Sequence, residues 1–405
     1  MIILKIAFRN IFRQKRRSIL TALSMFGGFF LSAFFIGFSD GSYNNIIRMF
    51  TGNNMGHIQI HAASYLEKPS LYKTINNYEK VLKDLSGIKG IKSFAPRLYT
   101  AGIVSVEEKS SGVRINGIDQ EKEIRTTNFD KKIIKGNVFS GDEAGEVIIG
   151  EGLAKILKAG IGQELVIVSQ GADGSIANDA YTIKGISKSG NDIEDRITIY
   201  LPLKVAQELF VLEGRVHEIA VTIGNLNYVQ NINDLITEKL DSEEIEAVPW
   251  QIFAKSFYDA MKADEAGMWV MLLIIMFVVA IGVLNTVLMS VLERRREYGV
   301  LKAMGTKPMD IIKLILIEIN ILAVICIILG SIAGYGINLY LSKNGIAIPE
   351  PITYGGMKFQ YMTSEINLRS FLIPAFTVFL SATIVGFFPA LKASKTDPAK
   401  SMRTH

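Results

Sequence analysis

Four apolar blocks limit what this chain can fold into. They run from Ser18 to Ser39, Met268 to Leu292, Leu314 to Leu341 and Phe371 to Leu391, and none carries Lys or Arg in its interior. About 20 apolar residues suffice to cross roughly 30 Å of hydrocarbon as a helix. Each block meets that length, so the sequence predicts four spans. Basic residues precede the first block, as they precede a signal peptide. It is too long for a signal h-region, however, and no small-residue cleavage site follows it, so it reads as a retained span.

Lys and Arg near the span ends set the orientation. They cluster in the N-terminal segment (Lys5, Arg9, Arg13, Lys15, Arg16, Arg17), between the second and third spans (Arg294, Arg295, Arg296, Lys302, Lys307) and in the tail (Lys392, Lys395, Lys400, Arg403). Four spans put all three clusters on one side, so both termini and the short middle loop are expected in the cytoplasm. The net charge of +5 is then a positive-inside bias with contact to anionic lipid, and needs no nucleic acid.

The stretch from Ser42 to about Ala266 must lie outside, and it is long enough for one or two folded domains. The chain's one cysteine, Cys326, falls in the third span, so no disulfide staples the outer region and its stability must come from a core. "GHIQIHA" (residues 56–62) alternates like a strand, and "YEKVLKDL" puts Tyr78, Val81, Leu82 and Leu85 on one helical face. Ile91 to Tyr99 and Gly102 to Val106 read as two strand-like segments. Val216 to Ile223 reads as a strand, Val229 to Leu240 as a helix and Ile245 to Trp250 as a strand. Two strand–helix–strand units around an insertion are the parts of a ferredoxin-like split fold. The insertion, about Val113 to Gly214, is expected to be mostly β, with a short helix closed by Gly160 and an exposed loop over "SQGADGSIANDA".

A search for chemistry finds little. No G-x-x-x-x-G-K-[ST] loop and no G-x-S-x-G elbow occur. "GNDIED" (Asp192, Glu194, Asp195) lacks the spacing of a calcium loop and reads as a solvated acidic turn. His57 and His61 fall on a strand, where their spacing of about 13 Å is too wide for one metal ion. The reading that remains is mechanical. The first segment is an amphipathic interface helix, with Leu4, Ala7, Phe8, Ile11 and Phe12 opposite Lys5, Arg9 and Arg13. Glu293 to Met304 is expected to continue the second span as a helix, stopped by Gly305. Pro308 then breaks regularity, and Asp310 is expected to cap the third span at Ile311. Val300, Leu301, Ala303 and Met304 set an apolar patch amid Arg294 to Arg296 and Lys302. Lipid has no use for such a patch; a groove on a cytoplasmic partner does. A charged loop that merely fixes topology is the plainer alternative. Within the spans, Gly330 and Gly334 permit close helix approach. Asn285 and Glu318 are polar groups in apolar runs, and Glu318 is expected to face protein.

The segment "LERRREYGVLKAMGTKPMDIIKLILIE" resembles the coupling segment of the FtsX-like/MacB-like ABC transporter permeases. The tail "TDPAKSMR" is similar to that family's ending. "GVRINGIDQEKE" and "SGNDIEDRITIYLPLKVAQELF" resemble its lipoprotein-releasing, Lol-type members. The resemblance implies four transmembrane α-helices with a large extracytoplasmic α+β domain: a ferredoxin-like, porter-like unit (41–112 and 215–266) with a mostly β insertion (113–214). The remaining divisions are a helix over 1–17, spans over 18–40, 267–292, 311–341 and 371–391, a coupling helix over 293–310, a loop over 342–370 and a tail over 392–405. It assigns ATPase coupling to Glu293, Arg294, Arg296, Glu297, Gly299, Leu301, Lys302, Met304 and Gly305, with Glu318 in the following span. It implies a separate cytoplasmic ABC ATPase that holds ATP and Mg, with no cofactor or metal on this chain. It also implies a second permease copy or close paralogue, a place in the inner membrane, and force relayed to the outer domain. Residues Gln251 to Gly267 would serve as a lever. Lipoprotein substrates and a periplasmic carrier are the expected partners, no nucleic acid among them. MacB-like export and FtsX-like control of a cell-wall hydrolase are the alternatives.

Overall fold

The computed structural model describes residues 2–13, 15–354 and 357–396. The chain divides into two compact units, one of residues 1–45, 261–347 and 361–405 and the other of residues 46–260 and 348–360.

The helical unit opens with α1 (Ile2–Arg13) and α2 (Lys15–Phe50). Ala7 of α1 is buried, whereas Phe8 on the expected apolar face is exposed. The side chains of Leu4, Lys5, Ile11 and Phe12 lie outside the described residues, as do tail residues 397–405 with Lys400 and Arg403.

The large unit follows as β1 (Ile58–Ala62), β2 (Ile75–Asn76), α3 (Tyr78–Ser86), β3 (Ile91–Val106), β4 (Lys109–Ile118), α4 (Gln120–Thr127), β5 (Ile133–Gly136), β6 (Glu146–Gly150), α5 (Glu151–Leu157), β7 (Glu164–Gln170) and β8 (Ile176–Ser187). It continues as α6 (Glu194–Ile197), β9 (Thr198–Pro202), α7 (Leu203–Leu209), β10 (Arg215–Val216), β11 (Glu218–Ile223), α8 (Val229–Leu240), β12 (Ile245–Pro249) and α9 (Trp250–Phe253). One ten-stranded sheet carries it, in the order β12-β1-β11-β3-β4-β9-β6-β8-β5, with β7 pairing β3 and β8. The units β1-α3-β3 and β11-α8-β12 interleave: β12 flanks β1, β1 pairs β11 and β11 pairs β3, all antiparallel. This is the expected ferredoxin-like split arrangement.

Four local expectations change. The two segments expected over 91–106 are one sixteen-residue strand, because β11 pairs its first half while β4 and β7 pair its second. The expected loop over 169–180 shrinks to a turn at Gly171–Ser175, since Ile176 to Ala180 join the ladder with β7. Helix α5 closes at Lys158, in the left-handed region at φ 55°, before Gly160 is reached. The acidic turn is not solvated throughout: Asp195 is buried and accepts from Ser189 N at 2.7 Å, and Glu194 pairs with Arg114.

The chain returns as α10 (Lys255–Glu293), α11 (Arg295–Ala303), α12 (Pro308–Asn344), β13 (Ile346–Tyr354), β14 (Met357–Met362) and α13 (Arg369–Ser394). The expected loop over 342–370 therefore contains two paired strands. Among the described residues four helices, α2, α10, α12 and α13, are long and apolar enough to cross a membrane. Val279, Val283, Val287 and Val291 recur every four residues as the buried stripe of α10, while Val270, Phe277, Val278 and Ile281 stay exposed. Gly28 lets α2 meet this stripe: a Cβ there would collide with Val279 Cγ2. The 39-residue α10 is unbroken, but the expected lever from Gln251 is interrupted at Ala254, between α9 and α10.

Candidate functional site

The segment between α10 and α12 is built around one residue, Arg294. The sequence pattern favours an uninterrupted helix here, yet α10 ends at Glu293 and α11 restarts at Arg295, with Arg294 at φ −89° and ψ 10°. The break turns the Arg294 side chain inward, leaving it 7% exposed. Its Nη1 donates to Glu318 Oε2 at 3.0 Å, its Nε donates to Glu297 Oε2 at 3.0 Å, and its guanidinium lies 5.2 Å from the centre of the Tyr298 ring. Glu318 thus faces protein, as expected, and its partner sits 24 residues away. A buried charge needs such pairing, because desolvation alone would cost several kcal/mol. Tyr298 is 1% exposed, and this burial pushes its phenol pKa up.

Three further contacts tie the segment to neighbouring helices. Glu293 pairs with Arg17 of α2, Glu297 also reaches Arg13 of α1 at 3.4 Å, and Lys302 Nζ donates to the carbonyls of Ser394 and Thr396 at 3.0 and 2.8 Å. Lys302 therefore closes the C-terminal end of α13, where free carbonyls attract a cation. Gly299 is buried and Leu301 packs on the bundle core. Gly305 takes φ +93°, the left-handed stop expected of it. Asp310 does not cap: α12 begins at Pro308, with Lys307 in the cap position and Asp310 in the first turn.

What remains outward is compact. Arg296, Val300, Ala303 and Met304 recur at helical spacing and are all exposed, Met304 by 72%, with Met309 exposed just beyond. Of the apolar patch read from the sequence, Leu301 turns inward while Val300, Ala303 and Met304 face out. A short helix with two or three exposed apolar side chains beside cations suits a groove on a protein partner.

Deeper in the helical unit, Gly330 and Gly334 both face α2. A Cβ on Gly330 would lie 2.5 Å from Phe29 Cδ1, and one on Gly334 would lie 3.4 Å from Ala33 Cβ. Asn285, by contrast, is exposed on α10. The sequence reading missed Asn338, which is fully buried, donates to Ala33 O at 3.2 Å and accepts from Ser364 Oγ at 2.9 Å. It gave Arg17 only a part in orientation and passed over Tyr298, since nothing local marks either as a partner of this segment.

The large unit holds a second buried arginine. Arg97 is gripped by Glu123, with Nε to Oε2 at 3.0 Å and Nη2 to Oε1 at 2.6 Å, and by Glu218 Oε1 at 3.0 Å. Burial works against the Glu123 carboxylate, but Arg97 holds its pKa below the usual range. His57 and His217 are structural. His57 Nδ1 accepts from Ile223 N at 2.9 Å, and His217 Nδ1 accepts from Tyr99 N at 3.1 Å. Burial lowers both to a pKa of about 4. Among the described residues no three His, Cys, Asp or Glu side chains group to hold a metal ion.

Comparison with known proteins places these features in context. The MacB-like periplasmic core domain family matches residues 18–239, and the FtsX-like permease C-terminal family matches residues 269–398. The lipoprotein-releasing system transmembrane protein LolC of Neisseria meningitidis serogroup B is 20% identical over 85% of this chain and 86% of its own length. An ABC transporter permease of Methanocaldococcus jannaschii is 24% identical over 99% of this chain and 97% of its own. The macrolide export ATP-binding/permease protein MacB of Escherichia coli is 24% identical over 77% of this chain, which spans 46% of that relative's length.

Proposed function

This chain belongs to the FtsX-like, MacB-like family of ABC transporter permeases, and on that premise we propose that it is the force-relaying subunit of a transporter that releases lipoproteins from the bacterial inner membrane. The observation that carries the relay is the Arg294 hub. It fastens α11 to α10 and α12 while leaving Val300, Ala303 and Met304 outward. A cytoplasmic ATPase that binds ATP and Mg grips that outward face. When it moves, α11 moves with it, and Glu318 passes the displacement to α12. The continuous α10 acts as the lever toward the large unit, which lies outside with both termini in the cytoplasm. A second permease copy or close paralogue completes the assembly.

Lipoprotein release is favoured by the match to LolC along 85% of this chain. The energetics suit a permease without a through-pore. Exposing a lipid anchor to water costs about 0.8 kcal/mol per CH₂, so a two- or three-chain anchor would cost tens of kcal/mol. The chains must pass to a sheltered surface or a periplasmic carrier. Depletion of the protein followed by membrane fractionation tests this: lipoproteins are expected to accumulate in the inner membrane. Their normal delivery to the outer membrane would overturn the release reading. The similarity to MacB over 77% of this chain supports export of a smaller substrate as the second reading. Sensitisation to small toxic molecules on depletion, with lipoproteins sorted normally, would select it.

A further inference from the structure

The large unit contains a cleft for which force transmission has no use. It encloses about 860 Å³, within the roughly 300–1,000 Å³ typical of small-molecule sites. Its floor is one face of the central sheet. Arg97, Tyr99 and Ala101 alternate along β3, Arg114 and Asn116 along β4, and Tyr200 on β9 stands beside Asn116. Side chains two apart on a strand share a face, so these converge.

The cations and carboxylates lining the cleft are equal in number, Arg97, Arg114 and Lys132 against Glu123, Glu194 and Glu218. Arg97 is held by Glu123 and Glu218, and Arg114 by Glu194 at 2.7 Å. Lys132 donates to Asn54 Oδ1 at 2.7 Å, and a strongly charged ligand would upset a lining whose charges already sum to zero. The walls are aromatic: Tyr65 borders the space, and the rings of Phe129 and Tyr200 meet edge to face at 4.9 Å. One group is unmatched. Asn116 is 6% exposed and lines the cleft, and its Oδ1 accepts no hydrogen bond among the described residues. A buried acceptor left without a donor costs about 1–3 kcal/mol, which a bound donor would recover.

We propose that this cleft binds a small uncharged amphiphile, an apolar ring or chain bearing one N–H or O–H that donates to Asn116 Oδ1. The inference stands on the cleft alone and holds whichever cargo the transporter moves.

The test photolabels the full-length protein with trifluoromethyl-diazirinyl benzyl alcohol, a neutral aromatic probe with one O–H, and maps the labelled peptides by mass spectrometry. Saturable labelling is expected on the peptides bearing Tyr65, Phe129 and Tyr200, distinct from unsaturable labelling of the spans. Asn116→Leu should raise the half-saturating concentration about three- to tenfold, as loss of one neutral hydrogen bond implies. Ala101→Trp, placed on an exposed cleft residue, should abolish the labelling with Asn116 intact, and serves if Asn116→Leu fails to fold. Cleft peptides labelled no more saturably than the spans, or unchanged half-saturation in the folded variants, would overturn the proposal.

Discussion

Arg97 and Arg294 are buried almost equally, at 6% and 7% exposure, and each is held by two glutamates. Their partners differ. The side chains of Glu123 and Glu218 are 4% and 6% exposed, whereas those of Glu297 and Glu318 are 42% and 18% exposed. The triad in the large unit borders the cleft but is almost fully buried, and stands or falls as a unit. The hub at α11 is half open. Its Glu297 lies 3.0 Å from Arg294 and 3.4 Å from Arg13, and an exposed pair is worth only about 0–1 kcal/mol. Glu297 can therefore trade partners cheaply while Glu318 keeps its hold. The same chemistry builds a fixed brace in the large unit and a half-open joint at α11, where the proposed relay would require motion to pass.

Several substitutions would break or sharpen this contrast. Arg97→Met strands two buried carboxylates and should cost about 3–5 kcal/mol, read as a lowered unfolding midpoint of the full-length protein. A cost under about 1 kcal/mol would place Arg97 with the surface pairs. Acid should act on a similar scale, and on the large unit. His57 and His217 titrate near 4 when folded against 6.5 when free, so the unfolded chain takes up protons first. Their contribution is complete above pH 6.5 and is lost as pH falls toward 4, on the order of 3 kcal/mol each. Equal unfolding midpoints at pH 7 and pH 4.5 would contradict it. Glu318→Gln weakens a hydrogen bond to a charged group and should cost about 1.5–3 kcal/mol. Its larger signature is functional: ATP turnover persists while transport falls. Arg13→Ala removes the exchangeable pair and should shift stability by less than about 1 kcal/mol.

The sequence disclosed the elements more readily than the joints. Hydropathy located the four long helices because each signal lies within one continuous block. Period-two and period-3.6 patterns located β1, α3, β11, α8 and β12 for the same reason. The strand β3 was read as two because its continuity depends on distant partners in β11, β4 and β7. The segment between α10 and α12 was legible as a short mixed helix, but not the break at Arg294, since nothing local disfavours helix there. Arg294 and Glu318 are 24 residues apart, and Arg97 meets Glu123 and Glu218 across 26 and 121. Such pairs leave no spacing to read. Lys302 shows the opposite hazard: its motif position suggests docking, yet its ammonium closes the end of α13. Reversing its charge would disturb that helix end, so Lys302 is a poor probe of docking.

The outward face of α11 is a better one. Val300→Asp combined with Met304→Asp alters two exposed side chains, for which stability should move by only about 0.5 kcal/mol per site. The decisive measurement is capture of the ATPase subunit by this doubly substituted protein in membranes, at matched expression and unchanged unfolding midpoint. The account predicts that the ATPase is lost and transport stops. An ATPase retained at the unsubstituted level, with transport intact, would show that α11 is not where force enters this protein.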